Sequence, residues 1–303
     1  MKIRENLTRR SLLKNLPLAG ISALAAATPV VGGATGQGGG VGNVASKSAR
    51  PLNARVDAWR KIFASLRDEE EVCCWYFGTM FLQPQGVPDI PILHAETIMV
   101  YRASAAADGS TRLRWIEIGR FVDPLTGEAA VSWLNPFTGR RVPTPRSFIT
   151  RPGEYRTREG AAALAISLEQ DDARVESVEA RIAAQGGRVW LQHTERKVRG
   201  VPAGATTADV ARQPKSTTYL ALAADAREVE DPACQNAAAS GSYSFSTAAL
   251  PAWAGIDGPG STIVRGLMQK AATDVPVNTE SWQALRALYP QFFSGNKVAP
   301  RWE

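Results

Sequence analysis

The sequence predicts a mainly β fold with α+β margins: one antiparallel sheet, curled into a barrel or folded into a sandwich, with a helix near each end of the domain. Three observations predict it. Seven runs dense in aromatic and β-branched residues recur along the chain. Clusters of Gly, Pro, Asn and Asp punctuate them. Within the clearest runs, apolar and polar residues alternate with the period of a half-buried strand rather than that of a helix.

The elements follow in order. Leu52, Val56, Trp59, Ile62, Phe63 and Leu66 fall at spacings of three and four, with Arg55, Arg60, Lys61 and Arg67 between them, so 52–66 reads as a helix with one apolar face. The run 72–82, which contains Cys73-Cys74-Trp75-Tyr76-Phe77, reads as a strand that stops at Gln83-Pro84-Gln85-Gly86. Further strands are expected at 95–101, 112–121, 175–183, 188–198, 217–224 and 241–247. The clearest hairpin turns at Gly186-Gly187. Before it, Val175, Ser177, Glu179, Arg181 and Ala183 alternate with Glu176, Val178, Ala180 and Ile182. After it, Val189, Leu191, His193, Glu195 and Lys197 interleave with Arg188, Trp190, Gln192, Thr194 and Arg196. A short helix over 281–288 has Ser281 or Asn278 available as a cap. The architecture these elements describe is calycin-like.

Two turn signals stand twelve residues apart, Asp123-Pro124-Leu125-Thr126-Gly127-Glu128 and Asn135-Pro136-Phe137-Thr138-Gly139-Arg140, with Trp133 between them. Each places a turn-initiating Asp or Asn before a Pro that fixes its own backbone angle, then a Gly that tolerates a positive one. They predict two tight turns around a short strand, 129–134. The doublet resembles the domain-of-unknown-function family 1838, whose members carry aspartate-proline-x-threonine-glycine, a tryptophan, and asparagine-proline-aromatic-threonine-glycine. The likeness extends over 52–300, through Trp75-Tyr76-Phe77-Gly78, the Ser242 to Trp253 segment and the Trp282 to Phe293 tail. It implies one domain over 51–303 and, in common with many members, export by the twin-arginine route, but it implies no reaction.

The start of the chain points the same way. Lys2 and Arg4 precede Thr8-Arg9-Arg10-Ser11-Leu12-Leu13, and a mildly apolar stretch runs from Leu16 to Ala27. That is the tripartite pattern of a twin-arginine signal, assigned to 1–34, with processing after Ala27 or Ala34. Its apolar part is shorter than the roughly 20 residues a membrane span needs. Residues 35–50, mostly Gly, Ala, Ser and Val, read as a flexible linker. The expectation is therefore a periplasmic domain, carried by the twin-arginine translocase, with no stable membrane span after cleavage. The formal charge of +6 shrinks to +2 once 1–34 is set aside, because 30 basic and 28 acidic residues remain. That balance removes the electrostatic reason to expect nucleic acid.

Cys73, Cys74 and Cys234 are the only cysteines. In an oxidising compartment one of the adjacent pair has the option of joining Cys234, whereas burial as small hydrophobes is the alternative. Three thiols without a C-x-x-C pattern, and only His94 and His193 beside them, give no metal site, and no cofactor motif appears.

The candidate site rests on two spacings and on the aromatics. His193 and Glu195 are two apart on one strand and share a face, as a general base and its orienting carboxylate would. His94 and Glu96 repeat that spacing. Arg114, Glu117 and Arg120 read as surface residues. Trp75, Phe77, Trp115, Trp190 and Tyr219 are spread over the strands, so that a closed sheet would line its interior with rings able to cup an apolar ligand. The expected function is periplasmic binding of a small, partly apolar molecule. Its alternatives are a non-redox hydrolase or isomerase using His193 with Glu195 or Glu96, and an interaction or structural protein of the envelope.

Overall fold

The computed structural model of this chain describes residues 55–302 apart from 151, 161–162, 172, 201–212, 271–278, 295–296 and 299–301. The signal and the linker assigned to 1–34 and 35–50 lie outside the described residues, as do Leu52 of the predicted helix and the candidate cap Asn278. Residues 51–303 form one compact unit. No described helix is long and apolar enough to cross a membrane.

The chain enters through helix α1 (Arg55–Phe63) and then lays down β1 (Glu71–Pro84), β2 (Ile90–Ala105) and β3 (Thr111–Val122) as an antiparallel meander. Three short strands follow: β4 (Ser132–Leu134), β5 (Arg141–Pro143) and β6 (Ser147–Ile149). The sheet resumes with β7 (Gly153–Glu159), β8 (Leu164–Gln170), β9 (Ala173–Gln185), β10 (Arg188–Arg199) and β11 (Lys215–Asp225). Helix α2 (Ala226–Glu230), β12 (Ala239–Thr247), β13 (Gly260–Lys270) and helix α3 (Thr279–Leu288) complete the domain, with β14 (Phe293–Ser294) and β15 (Lys297–Val298) at its end. The main sheet runs β8-β7-β3-β2-β1-β13-β12-β11-β10-β9, with β6 beside β3, and its two end strands are consecutive in the chain. The sheet is a nearly closed antiparallel barrel, with helices at the ends. It is this barrel, not the sandwich, that the strand pattern specifies.

Alternation sets the two faces. Val72, Cys74, Tyr76 and Leu82 of β1 point inward, whereas Cys73, Trp75 and Phe77 lie on the half-buried outer face. Curvature requires two backbones to converge: Gly78 and Gly266 stand opposite each other in β1 and β13, and a Cβ on Gly266 would run into the Phe77 carbonyl. A second glycine, Gly153, lies under Trp115, where a Cβ would come within 2.6 Å of the indole nitrogen.

Helix α1 fills one end of the barrel. Trp59, Ile62 and Phe63 are fully buried, the Phe63 ring 5.5 Å from those of Tyr101 and His193. The sequence pattern suggested a basic side between the apolar positions, but Arg60 and Lys61 are buried too. Each satisfies helix-end carbonyls that burial would otherwise orphan. Arg60 donates to Ser65 and Leu66, and Lys61 Nζ donates to the carbonyls of Val229 (2.8 Å) and Asp231 (2.6 Å) at the end of α2. Lys270, at the inner end of β13, donates to the Lys61 carbonyl.

The two Pro-Thr-Gly turns are built alike at the opposite end. Asp123 Oδ1 accepts from the amides of Leu125 and Thr126, and Gly127 adopts φ 74°. Asn135 Oδ1 accepts from Phe137 and Thr138, and Gly139 adopts φ 67°. Asn135 is fully buried, and its amide also donates to the carbonyls of Ala254 and Gly255. The short strand after the first turn pairs as β4 with β5 rather than spanning 129–134. Helix α3 covers the outside of β2 and β3, seating Trp282, Leu285 and Tyr289 on Ile98, Val100, Ile116 and Ile118.

The convergence of β1 and β13 has a testable consequence. Gly266→Ala is expected to cost about 1–3 kcal/mol or more, because backbone rather than a flexible side chain stands where the methyl would go. Urea unfolding measures it. A stability equal to wild type would contradict the close approach.

Candidate functional site

The interior of the barrel holds charge. On β10 the inward positions run Val189, Leu191, His193, Glu195 and Lys197, and all five are buried, His193 completely. Two apolar residues followed by three ionisable ones on a single inward face is the local cause of the site.

Glu195 sits at its centre. Its Oε1 accepts from His193 Nε2 at 3.0 Å and from the Tyr155 hydroxyl of β7, and its Oε2 pairs with Lys197 Nζ at 2.8 Å. Lys197 also donates to Gln170 Oε1 of β8 at 3.2 Å and lies 5.5 Å from the centre of the Trp115 ring. Burial pushes the Glu195 carboxyl up, but Lys197 and His193 outweigh it and hold the group well below the usual carboxylate range. Burial first, and then the charge of Glu195, raise the Tyr155 phenol well above its ordinary value, so Tyr155 remains the donor. With Glu195 ionised, His193 Nε2 is the nitrogen that carries the proton towards it, and in the neutral imidazole Nδ1 is then the acceptor. Nδ1 has no hydrogen-bond partner among the described residues.

A cavity lies beside this network, lined by Met99, Tyr101, Trp115, Glu117, Tyr155, Glu195, Lys197, Thr218, Leu220 and Tyr243. It measures about 20 Å³, room for one or two waters. His193 does not line it. The imidazole lies behind Glu195, wedged between the rings of Phe63 and Tyr155 at 5.5 and 5.2 Å.

The candidates named from sequence separate into two groups. His193, Glu195 and Trp115 come together in the interior. Trp75, Phe77, His94 and Glu96 are on the outer face of β1 and β2, and Trp190 and Tyr219 are exposed on the outer face of β10 and β11. Trp75 and Phe77 stack on each other at 5.9 Å; His94 packs on Phe77 at 5.0 Å and meets Thr79 Oγ1 at 3.1 Å. Glu96 is joined to Arg120 by two contacts, 2.7 and 2.6 Å. The two His-x-Glu spacings therefore stand on opposite faces of the wall and do not converge. Among the described residues no group of three His, Cys, Asp or Glu assembles into a metal site.

Two expectations are corrected. Glu117 and Arg120 are buried rather than superficial, Glu117 in the cavity and Arg120 on Glu96, because neighbours three apart on a strand lie on opposite faces. The rings that line the cavity are Tyr101, Trp115, Tyr155 and Tyr243; of these only Trp115 stood among the expected ligand-binding residues. Lys197, Tyr155 and Gln170 were not singled out from the sequence, although Lys197 shares the inward period of His193 and Glu195. Cys73, Cys74 and Cys234 form no disulfide with one another, and Cys74 is buried in the interior beside Lys270, its cross-strand partner.

Lys270 gives this region a pH dependence. Burial lowers its amine from the usual range to about 7, against an unfolded value of about 10.4. The unfolded chain thus binds more protons above pH 7, so stability rises from there. Burial raises Cys74 to about 12, and from its unfolded value of about 8.5 upward that group opposes the rise. Stability is expected to increase between pH 7 and 8.5 in wild type, with the Lys270 share of the increase absent in Lys270→Met. Identical slopes in the two proteins would contradict a depressed Lys270. Lys197→Met, which leaves Glu195 buried without its cation, is expected to cost about 3–5 kcal/mol in denaturant unfolding.

No family model matches the chain, and neither does any curated protein.

Proposed function

We propose that this chain is a periplasmic small-molecule-binding protein whose site is the barrel interior at Glu195. One observation carries the reading: a carboxylate, an ammonium and an imidazole are enclosed together beside a cavity. Desolvating such groups is costly, and well-packed apolar residues of similar volume are often neutral or stabilising in their place. Buried ionisable groups with shifted pKa values cluster at functional sites for that reason. The rings of Tyr101, Trp115, Tyr155 and Tyr243 supply the apolar share of the wall. A cavity of about 20 Å³ takes only a very small molecule as it stands. Anything larger requires the packing around the cavity to open, and α1, whose Trp59 and Phe63 pack on Tyr155 and His193, is the element set against that network. The twin-arginine signal in residues 1–34 supports the compartment.

A second reading, a non-redox enzyme, is favoured by His193 Nδ1. A carboxylate that fixes the tautomer through Nε2 and leaves the other nitrogen as an unengaged acceptor is how an imidazole is set up as a general base. In this reading the substrate reaches Nδ1 where Phe63 now packs.

Incubating the purified protein with cell extract and identifying retained compounds by native mass spectrometry tests both. The binding reading expects one compound at a fixed stoichiometry, lost when Glu195 and Lys197 are replaced together by Leu and Met in a variant that still folds. Retention of nothing by the wild type would overturn it. The enzymatic reading adds that the compound changes chemically with time and that His193→Gln stops the change without releasing it.

A further inference from the structure

Four of the eight large hydrophobic side chains exposed among the described residues fall within the segment 125–149: Leu125, Val131, Leu134 and Ile149. Single exposed leucines need no explanation, whereas their concentration in one part of a fold marks a contact surface. The backbone holds this segment together. Phe121, near the end of β3, accepts from the Ala130 amide at 2.9 Å and donates to the Arg146 carbonyl at 3.2 Å, and the Thr144 amide donates to the Val131 carbonyl. Leu134 of β4 stands opposite Arg141 of β5, and both are exposed. Leu125, in the first Pro-Thr-Gly turn, is 75% exposed. The second turn is fixed at its base, because buried Asn135 donates to the carbonyls of Ala254 and Gly255.

Charge selects the partner. Residues 129–150 contain Arg140, Arg141 and Arg146 and no acid. All three arginines are exposed, and none meets a carboxylate among the described residues; Arg141 reaches only Ser132 Oγ, at 3.4 Å. In the first turn the Asp123 carboxylate is occupied by the amides of Leu125 and Thr126, which leaves Glu128 as the only exposed acid between 123 and 150. Exposed aliphatic side chains beside unpaired guanidinium groups suit an anionic lipid surface: the leucines enter the boundary between headgroups and acyl chains while the arginines stay level with the phosphates. A nucleic acid would engage the arginines and leave the leucines in water.

We propose that the 123–149 segment of the barrel, presenting Leu125, Leu134, Arg140 and Arg141, docks on an anionic phospholipid surface. The proposal is independent of what the interior holds.

Co-sedimentation of the full chain with vesicles of phosphatidylglycerol and phosphatidylcholine in equal parts tests it, with phosphatidylcholine vesicles and soluble heparin for comparison. Binding to the anionic vesicles is expected to be at least tenfold tighter than to the neutral ones and to weaken as salt is added. Arg140→Gln with Arg141→Gln, and separately Leu125→Ser with Leu134→Ser, are each expected to weaken it at least tenfold. All four positions are exposed, so an unchanged urea midpoint verifies that the variants fold. Amide hydrogen exchange locates the contact, and slowing within 123–149 is expected when anionic vesicles are added. Equal binding to neutral vesicles, or protection confined to residues 1–34, would overturn the proposal. Tight binding to heparin that the two serine substitutions leave unchanged would replace the lipid surface with an acidic polymer.

Discussion

A buried carboxylate links the strands on either side of the barrel's seam. Among the described residues no backbone ladder joins β8 to β9, the two ends of the sheet path. What bridges that seam from inside is Glu195 of β10, reaching Tyr155 of β7, and its neighbour Lys197, reaching Gln170 of β8. These cross-seam bonds depend on the ionisation of one buried group. Protonated, Glu195 would lose its attraction for Lys197, and the His193 tautomer would no longer be fixed. The register of β10 against β7 and β8, the orientation of His193 and the shape of the cavity are therefore one property. Tyr155, Glu195 and Lys197, which make the bonds across the seam, also line the cavity.

The closed end repeats the theme with backbone acceptors. Lys61 and Lys270 are buried cations that satisfy carbonyls at helix and loop ends, whereas Arg60 adds an ion pair with Asp68 to its carbonyl acceptors. Full-charge burial without a counter-charge is tolerable only where such acceptors converge, and even there Lys270 is driven to about 7. The helix carrying Phe63 is thus fixed by polar contacts around its rim and by aromatic packing at its centre. Movement of α1 would uncover both His193, on which Phe63 packs, and Tyr155, on which Trp59 packs.

Much of the fold was legible because alternation is direct evidence of a strand. The hairpin at Gly186-Gly187 needed only its period of two, and the runs around Trp75, Trp115 and Tyr219 only their density of aromatic and β-branched residues. β7, β8 and β13 were not read. Gly153–Glu159 carries four charged residues in seven, and Gly260–Lys270 turns Thr262, Val264, Gly266, Met268 and Lys270 inward while leaving Leu267 on the surface, so its hydrophobicity does not track its faces. The inward direction of each strand was harder to read than its existence. In β1 both faces carry large rings, and what decides between Tyr76 and the pair Trp75/Phe77 is the barrel interior, to which the other strands contribute. For His193 and Glu195 the spacing sufficed. Val189 and Leu191 mark the inward face, and Lys197, two positions beyond Glu195, continues it. Tyr155 was out of reach, because its role depends on β7 lying across the seam from β10, a relation no local pattern encodes.

The account turns on an ionised, buried Glu195, and the carbon-13 shift of its carboxyl, followed by NMR as the folded protein is acidified, measures that directly. The expected result is a carboxylate signal that persists unchanged through pH 4.3, the ordinary glutamate value, and down to the pH at which the protein unfolds. Unfolding, when it comes, should coincide with protonation, since a depressed carboxylate gives up its stabilisation as pH falls towards its folded value. A Glu195 that titrates at or above 4.3 while the protein stays folded would contradict the account, because burial alone would then govern the group and the cross-seam bonds would hold without its charge.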